Sequence, residues 1–478
     1  MAVKWKEPKE PAARKAAPEE PKAKEPETKK ATPKEEPEAP KEKPEKAKMP
    51  VAEKPPSKKA EPKTVEPKPD EPKPAEAKKA DSPKVEAPKP VAKPKPEPKP
   101  EPAPTPPWEE DPKESAKRKA KKPAKPKPKP VIDPGKRFRR LIREHGPISL
   151  AQFMGESNAL YYSSRDPLGE EGDFITAPEV SQMFGELIGL WLADVWVRAG
   201  SPDPVHYVEL GPGRGTLAQD ALRTAERYGL KPMVHFVEGS EALREIQSAA
   251  VEGVIHHDDV SSIPDDGPIL LVANEFFDAL PVHQLIRSAQ GWHERMVGLE
   301  GDKFAFVAGD KPMDSIVPDG WRTARQGTMI ETSSAAAAVM SEIADRLVTQ
   351  GGAALVVDYG SLESRSGSTL QAIRQHKKVD ALSAPGEADL TAHVDFELLG
   401  KVAKRQGARV EGVEMQGDWL QSLGIDTRTE ALQRRAPKAQ AEVIARQRDR
   451  LVKEDQMGLL FKVMGLASPD WPIGVGFG

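Results

Sequence analysis

Val205-His206-Tyr207-Val208-Glu209-Leu210-Gly211-Pro212-Gly213-Arg214-Gly215 sets an apolar run directly against an acidic residue and three alternating glycines. The run Val205–Leu210 predicts a buried strand, and the residues from Leu217 onward predict a helix. A glycine turn between a strand and a helix lets backbone come close to a ligand at the strand's carboxyl end. The dinucleotide pattern G-x-G-x-x-G would need glycine at position 216, which is Thr216. The loop instead has the form acidic-x-G-x-G-x-G.

Outward from this loop, short apolar runs alternate with helical stretches. The runs are Val205–Leu210, Met233–Val237, Val254–His256, Ile269–Ala273 and Ala353–Val357; the helical stretches are Leu217–Tyr228, Glu241–Ala250 and Ala335–Thr349. The alternation predicts an α/β fold with a mostly parallel sheet and helices on both faces. Ala408–Met415 and Gly458–Met464 would close the sheet edge. Residues 281–330 are surplus to the alternation and predict a β-rich insertion after the fourth strand, covering one side of the site. Residues 131–204 read as a helical cap region. It comprises a helix over Lys136–Glu144 ended by Gly146-Pro147, a helix capped by Ser149, and one helix over Glu179–Val197 with Pro178 at its start. Residues 205–478 form the sheet domain.

Of the 50 prolines, 33 crowd into residues 1–130, a segment of Lys, Glu, Pro and Ala with few large apolar groups. Such a chain cannot bury enough surface to offset its ordering entropy and is expected to be a disordered leader. Its last part, KRKAKKPAKPKPKP at 117–130, is purely basic: either a solubilising leader or a patch for an anionic partner. No aromatic residue interleaves these lysines, which argues against base stacking. The net charge of −3 gives no general bias toward nucleic acid, and the lack of cysteine excludes disulfides, cysteine metal sites and thiol nucleophiles. No apolar stretch is long enough to span a bilayer, so no membrane insertion is expected. The start has neither a secretory apolar region nor the acid-poor composition of a transit peptide, so a cytoplasmic location is the expectation.

Candidate site residues follow from strand ends. Glu238 lies at the tip of the second run, about twenty residues past the loop, where an acid accepts ribose hydroxyls; the alternative is a surface residue capping the helix near Ser240. Asp258 and Asp259 follow the third run and either contact adenine or mark a polar strand end. His256 and His257 are adjacent on a strand and face opposite ways, so no metal site is expected there. The fourth run leads into Asn274-Glu275-Phe276-Phe277-Asp278, where an acceptor would sit.

Several blocks carry a family resemblance. The glycine loop resembles motif I of class I methyltransferases. Together, VELGPGRGTL (208–217), GDFITAPEVSQMFGE (172–186), NEFFDALPVHQ (274–284) and DLTAHVDF (389–396) resemble the MidA-type methyltransferase family, over residues 133–478. Its mitochondrial members are protein arginine methyltransferases that assist assembly of respiratory complex I. The resemblance implies a Rossmann-like class I fold and S-adenosylmethionine as methyl donor, held by Glu209, Gly211, Pro212, Gly213, Gly215, Glu238 and Asp258. Glu275 and Asp278, with Asn274 orienting, become candidates for a carboxylate clamp on a guanidinium, the planar cation that carboxylates grip bidentately. Gly172, Asp173, Phe174 and Thr176 would fold over the cofactor or target peptide. Asp389–Phe396 is either a helix start capped by Thr391 or a substrate-facing loop, and Tyr359 either lines the pocket or belongs to the core. The partner implied is a protein bearing the target arginine, with a matrix location if the source is eukaryotic. Methylation of a small molecule or another side chain, and a non-enzymatic assembly role, are the alternatives.

Overall fold

The computed structural model describes residues 133–164 and 175–477. The leader, and Gly172, Asp173 and Phe174, lie outside the described residues.

The apolar runs become strands β1 (His206–Leu210), β2 (Met233–Val237), β3 (Ile255–His257), β4 (Ile269–Asn274) and β5 (Gly352–Ser361). Two more, β6 (Arg409–Met415) and β7 (Phe461–Ala467), complete the order β6-β7-β5-β4-β1-β2-β3 in an eight-stranded sheet, with the short Val394–Asp395 strand beside the end of β5. Neighbours pair parallel throughout β5-β4-β1-β2-β3, while β7 runs antiparallel to both β5 and β6. Every residue of β1 and β4 is buried. That is why these strands read as continuous apolar runs, as strands covered on both faces do.

The chain also forms helices α1 (Pro134–His145), α2 (Leu150–Ser164), α3 (Ala177–Val180), α4 (Gln182–Arg198), α5 (Thr216–Ala225), α6 (Glu241–Ala250), α7 (Ser334–Gln350) and α8 (Phe396–Gln406). One face of the sheet packs on α4 and α5 through Phe184, Trp191, Leu217 and Tyr207. The other packs on α7 and α8 through Val208, Leu271, Ile343 and Leu399. Each fully buried aliphatic side chain here contributes about 1.5–3 kcal/mol relative to exposure. Helix α4, from the stretch expected to be a cap, belongs to this core. It crosses α5 so closely that a Cβ on Gly189 would lie 2.1 Å from the Ala221 carbonyl oxygen.

Two helix boundaries differ from expectation. The single helix over 179–197 is broken at Ser181, which is extended (φ −163°, ψ 137°) and caps α4 by accepting the Met183 N–H. Val180 and Met183 stay buried on either side, so the apolar period runs through the break unmarked. Thr391 caps nothing: it lies in the strand Asp389–Thr391, and Asp395 caps α8 by accepting the Leu398 N–H at 2.9 Å. Ser149 does cap α2, accepting the Gln152 N–H at 3.0 Å.

The insertion is β-rich as expected: His283–Ser288, Gly291–Glu300, Lys303–Pro312 and Met329–Thr332 form an antiparallel sheet with Ile148–Ser149. It packs toward α1 and α2, where Phe138, Phe153 and Val297 share a cluster. A second, unexpected sheet pairs Gln371–Arg374 with Lys377–Val379 and Asp389–Thr391.

Candidate active site

A cavity of about 920 Å³ opens at the carboxyl ends of the parallel strands. That is the size range of pockets for small-molecule ligands. Glu209, Gly211, Pro212, Gly213, Glu238, Asn274, Glu275, Asp278 and Thr176 all line it.

The loop after β1 turns through positive φ at Gly211 (60°), Gly213 (55°) and Gly215 (79°). Gly215 forms the left-handed N-cap of α5. A methyl group on Gly211 would sit 3.0 Å from the Phe276 ring, so glycine also lets the two loops meet. Glu209 is buried and accepts the Tyr207 hydroxyl at 2.6 Å. Burial pushes its pKa up to about 8, although the tyrosine hydrogen bond pulls the other way. Thr216, the residue that breaks the dinucleotide pattern, donates its hydroxyl to Glu179 at 3.0 Å.

Glu238 is tied to the helix start near Ser240 and also faces the cavity. One oxygen accepts the Ser240 N–H at 2.7 Å and the other the Gln247 side-chain amide at 3.2 Å, while the residue also lines the cavity. The same Gln247 amide reaches the Gly213 carbonyl at 2.7 Å, tying the second strand's acid to the glycine loop. Burial raises the Glu238 pKa. Asp258 is different. Its carboxylate pairs with Arg244 at 2.6 Å, its side chain is 88% exposed, and it is not part of the cavity wall. Asp258 thus stands outside the cavity wall, its carboxylate held by Arg244.

The two histidines of β3 do point apart. His256 meets the Gln247 side chain at 3.0 Å, while His257 ends a buried row in which His206, His235 and His257 bond in sequence at 3.0 and 2.9 Å. Burial and the neighbouring rings hold the central His235 down to about 4. Among the described residues no group of three or more His, Asp or Glu is placed to hold a metal ion.

At the end of β4 the chain turns sharply. Glu275 has φ 51° and donates its N–H to the Val357 carbonyl at 2.8 Å. Its side chain accepts the Ala177 N–H at 3.1 Å. Asp278 is buried nearby, with the Tyr359 hydroxyl close enough to favour its ionised form. Both carboxyls are nonetheless pushed up, Glu275 to about 8 by burial and by Asp278, and Asp278 to about 6 by burial. Beneath them lies Asp358, fully buried, which sequence reasoning missed. One oxygen accepts the Phe277 and Asp278 N–H groups at 3.0 and 3.2 Å, and the other the Tyr359 N–H at 2.8 Å. Burial and the two acids raise its pKa well above the ordinary carboxylate range. Tyr359 both lines the cavity and packs against the core beside Phe461.

Other wall residues also escaped the sequence. Tyr162 on α2 donates to Asp389 at 2.8 Å, and Glu179 precedes the Ser181 break. Gln371, Ile373, His376 and Lys378 come from the small second sheet, and Arg450 and Leu460 from near β7. The 281–330 insertion, expected to cover the site, contributes no wall residue; its sheet is occupied with α1 and α2.

The wall has an opening for a polar ligand: the Asn274 Oδ1 atom is buried without a hydrogen-bond partner among the described residues. A glycine cradle, an acid at the tip of each of the first two strands and that orphaned acceptor suit a nucleoside-bearing amino acid. Fold and site together define an α/β enzyme that binds such a group donor.

Comparison with known proteins gives the particular class. The family of S-adenosyl-L-methionine-dependent methyltransferases matches residues 187–414. A mitochondrial protein arginine methyltransferase of Xenopus tropicalis (NDUFAF7) is 35% identical over 359 residues, covering 67% of this chain and 82% of the relative. Its human counterpart is 36% identical over 329 residues, covering 61% and 73%. A Burkholderia thailandensis protein crystallised with S-adenosyl-homocysteine superposes with a TM-score of 0.59 at 25% identity, covering 72% of this chain and 95% of that one. The chain belongs to the S-adenosylmethionine-dependent methyltransferase family, and S-adenosylmethionine is its methyl donor.

Proposed function

We propose that this enzyme methylates an arginine side chain of a protein partner, with Glu275 and Asp278 as the clamp on the guanidinium. The observation that carries the reading is a pair of carboxylates, Glu275 and Asp278, on the cavity wall at the end of β4, with Asp358 buried beneath their turn. Buried acids without an ion-pair partner among the described residues favour a cationic guest, and relatives of this chain are named protein arginine methyltransferases.

The donor supplies an electrophilic sulfonium methyl group. Gly211, Pro212, Gly213 and Gly215 would cradle it, Glu209 and Glu238 would accept its polar hydrogens, and Asn274 Oδ1 would take an N–H. Arginine is a weak nucleophile because its charge is delocalised and its pKa exceeds about 12. Glu275 and Asp278 would accept N–H groups from the guanidinium, fix its plane, and leave one nitrogen facing the methyl carbon. As the N–C bond forms and the S–C bond breaks, that nitrogen sheds a proton, which an adjacent carboxylate accepts. Asp358 holds the turn that carries both acids. Thr176, with Gly172, Asp173 and Phe174, would contact the target peptide.

The test is Glu275→Gln. Methyl transfer to protein arginine should fall at least a hundredfold, while donor affinity by calorimetry stays within a few fold. Loss of donor binding in this variant would remove Glu275 from the acceptor role. Label from radioactive donor confined to small molecules would overturn the protein-arginine reading. We place the enzyme in the matrix for a eukaryotic source and in the cytoplasm for a bacterial one. No helix among the described residues is long and apolar enough to cross a membrane.

A further inference from the structure

We propose that the cavity mouth selects an arginine flanked by carboxylates in a polypeptide and disfavours arginines set in basic stretches. This rests on the arginine reading above and adds the sequence context of the target.

The acceptor half of the cavity has opposite charges at its two depths. Inside are Glu275 and Asp278, with Asp358 buried beneath them. At the mouth, Arg450 and Lys378 line the wall, and both are exposed. Neither forms an ion pair with a carboxylate among the described residues. Both act on the acceptor side: Arg450 is near enough to Glu275 to favour its ionised form, and Lys378 bears on His393, whose ring lies 5.6 Å from that of Tyr359. A guanidinium is therefore drawn to the floor past cations that repel it at the rim. The rim also acts on whatever flanks the target arginine. Neighbouring carboxylates gain a partner, and neighbouring lysines or arginines meet like charge; such repulsive elements are a usual source of specificity.

Lys378 stands just past a hairpin turn whose two central residues, Gln375 (φ 51°) and His376 (φ 59°), both occupy the left-handed region. Tight turns of this kind ordinarily use Gly or Asn there. The tip keeps two larger polar side chains at the expense of backbone strain, and His376 also lines the mouth. Beside Arg450, Leu459 and Leu460 are 49% and 47% exposed, with Leu460 on the wall. That apolar shelf suits an adjacent peptide side chain and has no use for a lone small cation.

The experiment uses the full chain, radiolabelled donor and three peptides with one central arginine flanked by Asp, Asn or Lys. At low salt the KM should rise in the order Asp, Asn, Lys, by about threefold per flanking charge, and the spread should shrink at high salt. The double variant Arg450→Glu, Lys378→Glu should reverse the order while donor affinity is kept. If that variant loses donor binding, the salt-dependent order with the unaltered enzyme decides. Equal KM for all three peptides overturns the proposal and leaves the arginine reading standing. Absence of label on any arginine, with donor bound, overturns both.

Discussion

Glu275 occupies a backbone conformation, φ 51°, that side chains other than Asn and Asp seldom adopt. It is held there by its own N–H bond to Val357 and by Asp358, which grips the next two N–H groups but one. Strain of this kind persists where surroundings over-determine it, often at functional sites. The same burial has a pH consequence. Glu275 and Asp278 have folded pKa values of about 8 and about 6, above their ordinary values, so between roughly pH 4 and 8 the folded chain binds more protons than the unfolded one. Stability contributed by these groups is present below the unfolded pKa and is lost as pH rises through the folded one. The melting temperature of the ligand-free protein should therefore fall from pH 5 to pH 8, and Glu275→Gln should flatten that slope, as calorimetry across the range would show. At the donor end, Gly211→Ala would put an alanine at φ 60° against Phe276. A cost of about 1–2 kcal/mol for left-handed alanine predicts a thermal midpoint lower by a few degrees, read by calorimetry. In sequence Asp258 and Asp358 both follow an apolar run, and only Asp258 stood out as a site candidate. One is drawn out by Arg244 and the other is sealed beneath the acceptor turn; that difference is made by partners far along the chain.

Strands proved the most legible elements, because β1, β4 and β5 are buried on both faces and every residue in their centres must be apolar. The glycine loop and Glu238 were legible for a related reason: their chemistry is local to a strand end. Ser181 was not, since the buried Val180 and Met183 preserve the helical period across the break. The Gln371–Arg374 and Lys377–Val379 hairpin was also missed. Its strands are short, its turn lacks glycine, and its exposed lysines look like any solvated surface. Contacts between helices were equally silent. Gly189 is a plain small residue in sequence, yet its position allows α4 to touch the backbone of α5. Gly189→Val should destabilise the fold by about 1–3 kcal/mol or more, lowering the thermal midpoint by several degrees. An unchanged midpoint would mean the helices separate freely there.

The cavity wall draws on residues from Asn158 to Phe461, so the site belongs to the molecule and to no single segment. Residues 1–130 have the composition of a chain without a core, and we propose that donor binding resides entirely in 131–478. Deleting Met1–Pro130 should leave the donor dissociation constant within about twofold, measured by calorimetry; a large loss would show the leader contributing to the site. Among the strands, β7 has an unusual position: it follows all the others in the chain but enters between β5 and β6. Whatever prevents β7 from docking, whether truncation or a substitution in its core, leaves the apolar β5 with a bare row of backbone donors and acceptors on one side. Such an edge is a template for another chain. Damage near Phe461–Ala467 is thus expected to show itself first as self-association of the enzyme, ahead of any loss that a donor-binding assay would report.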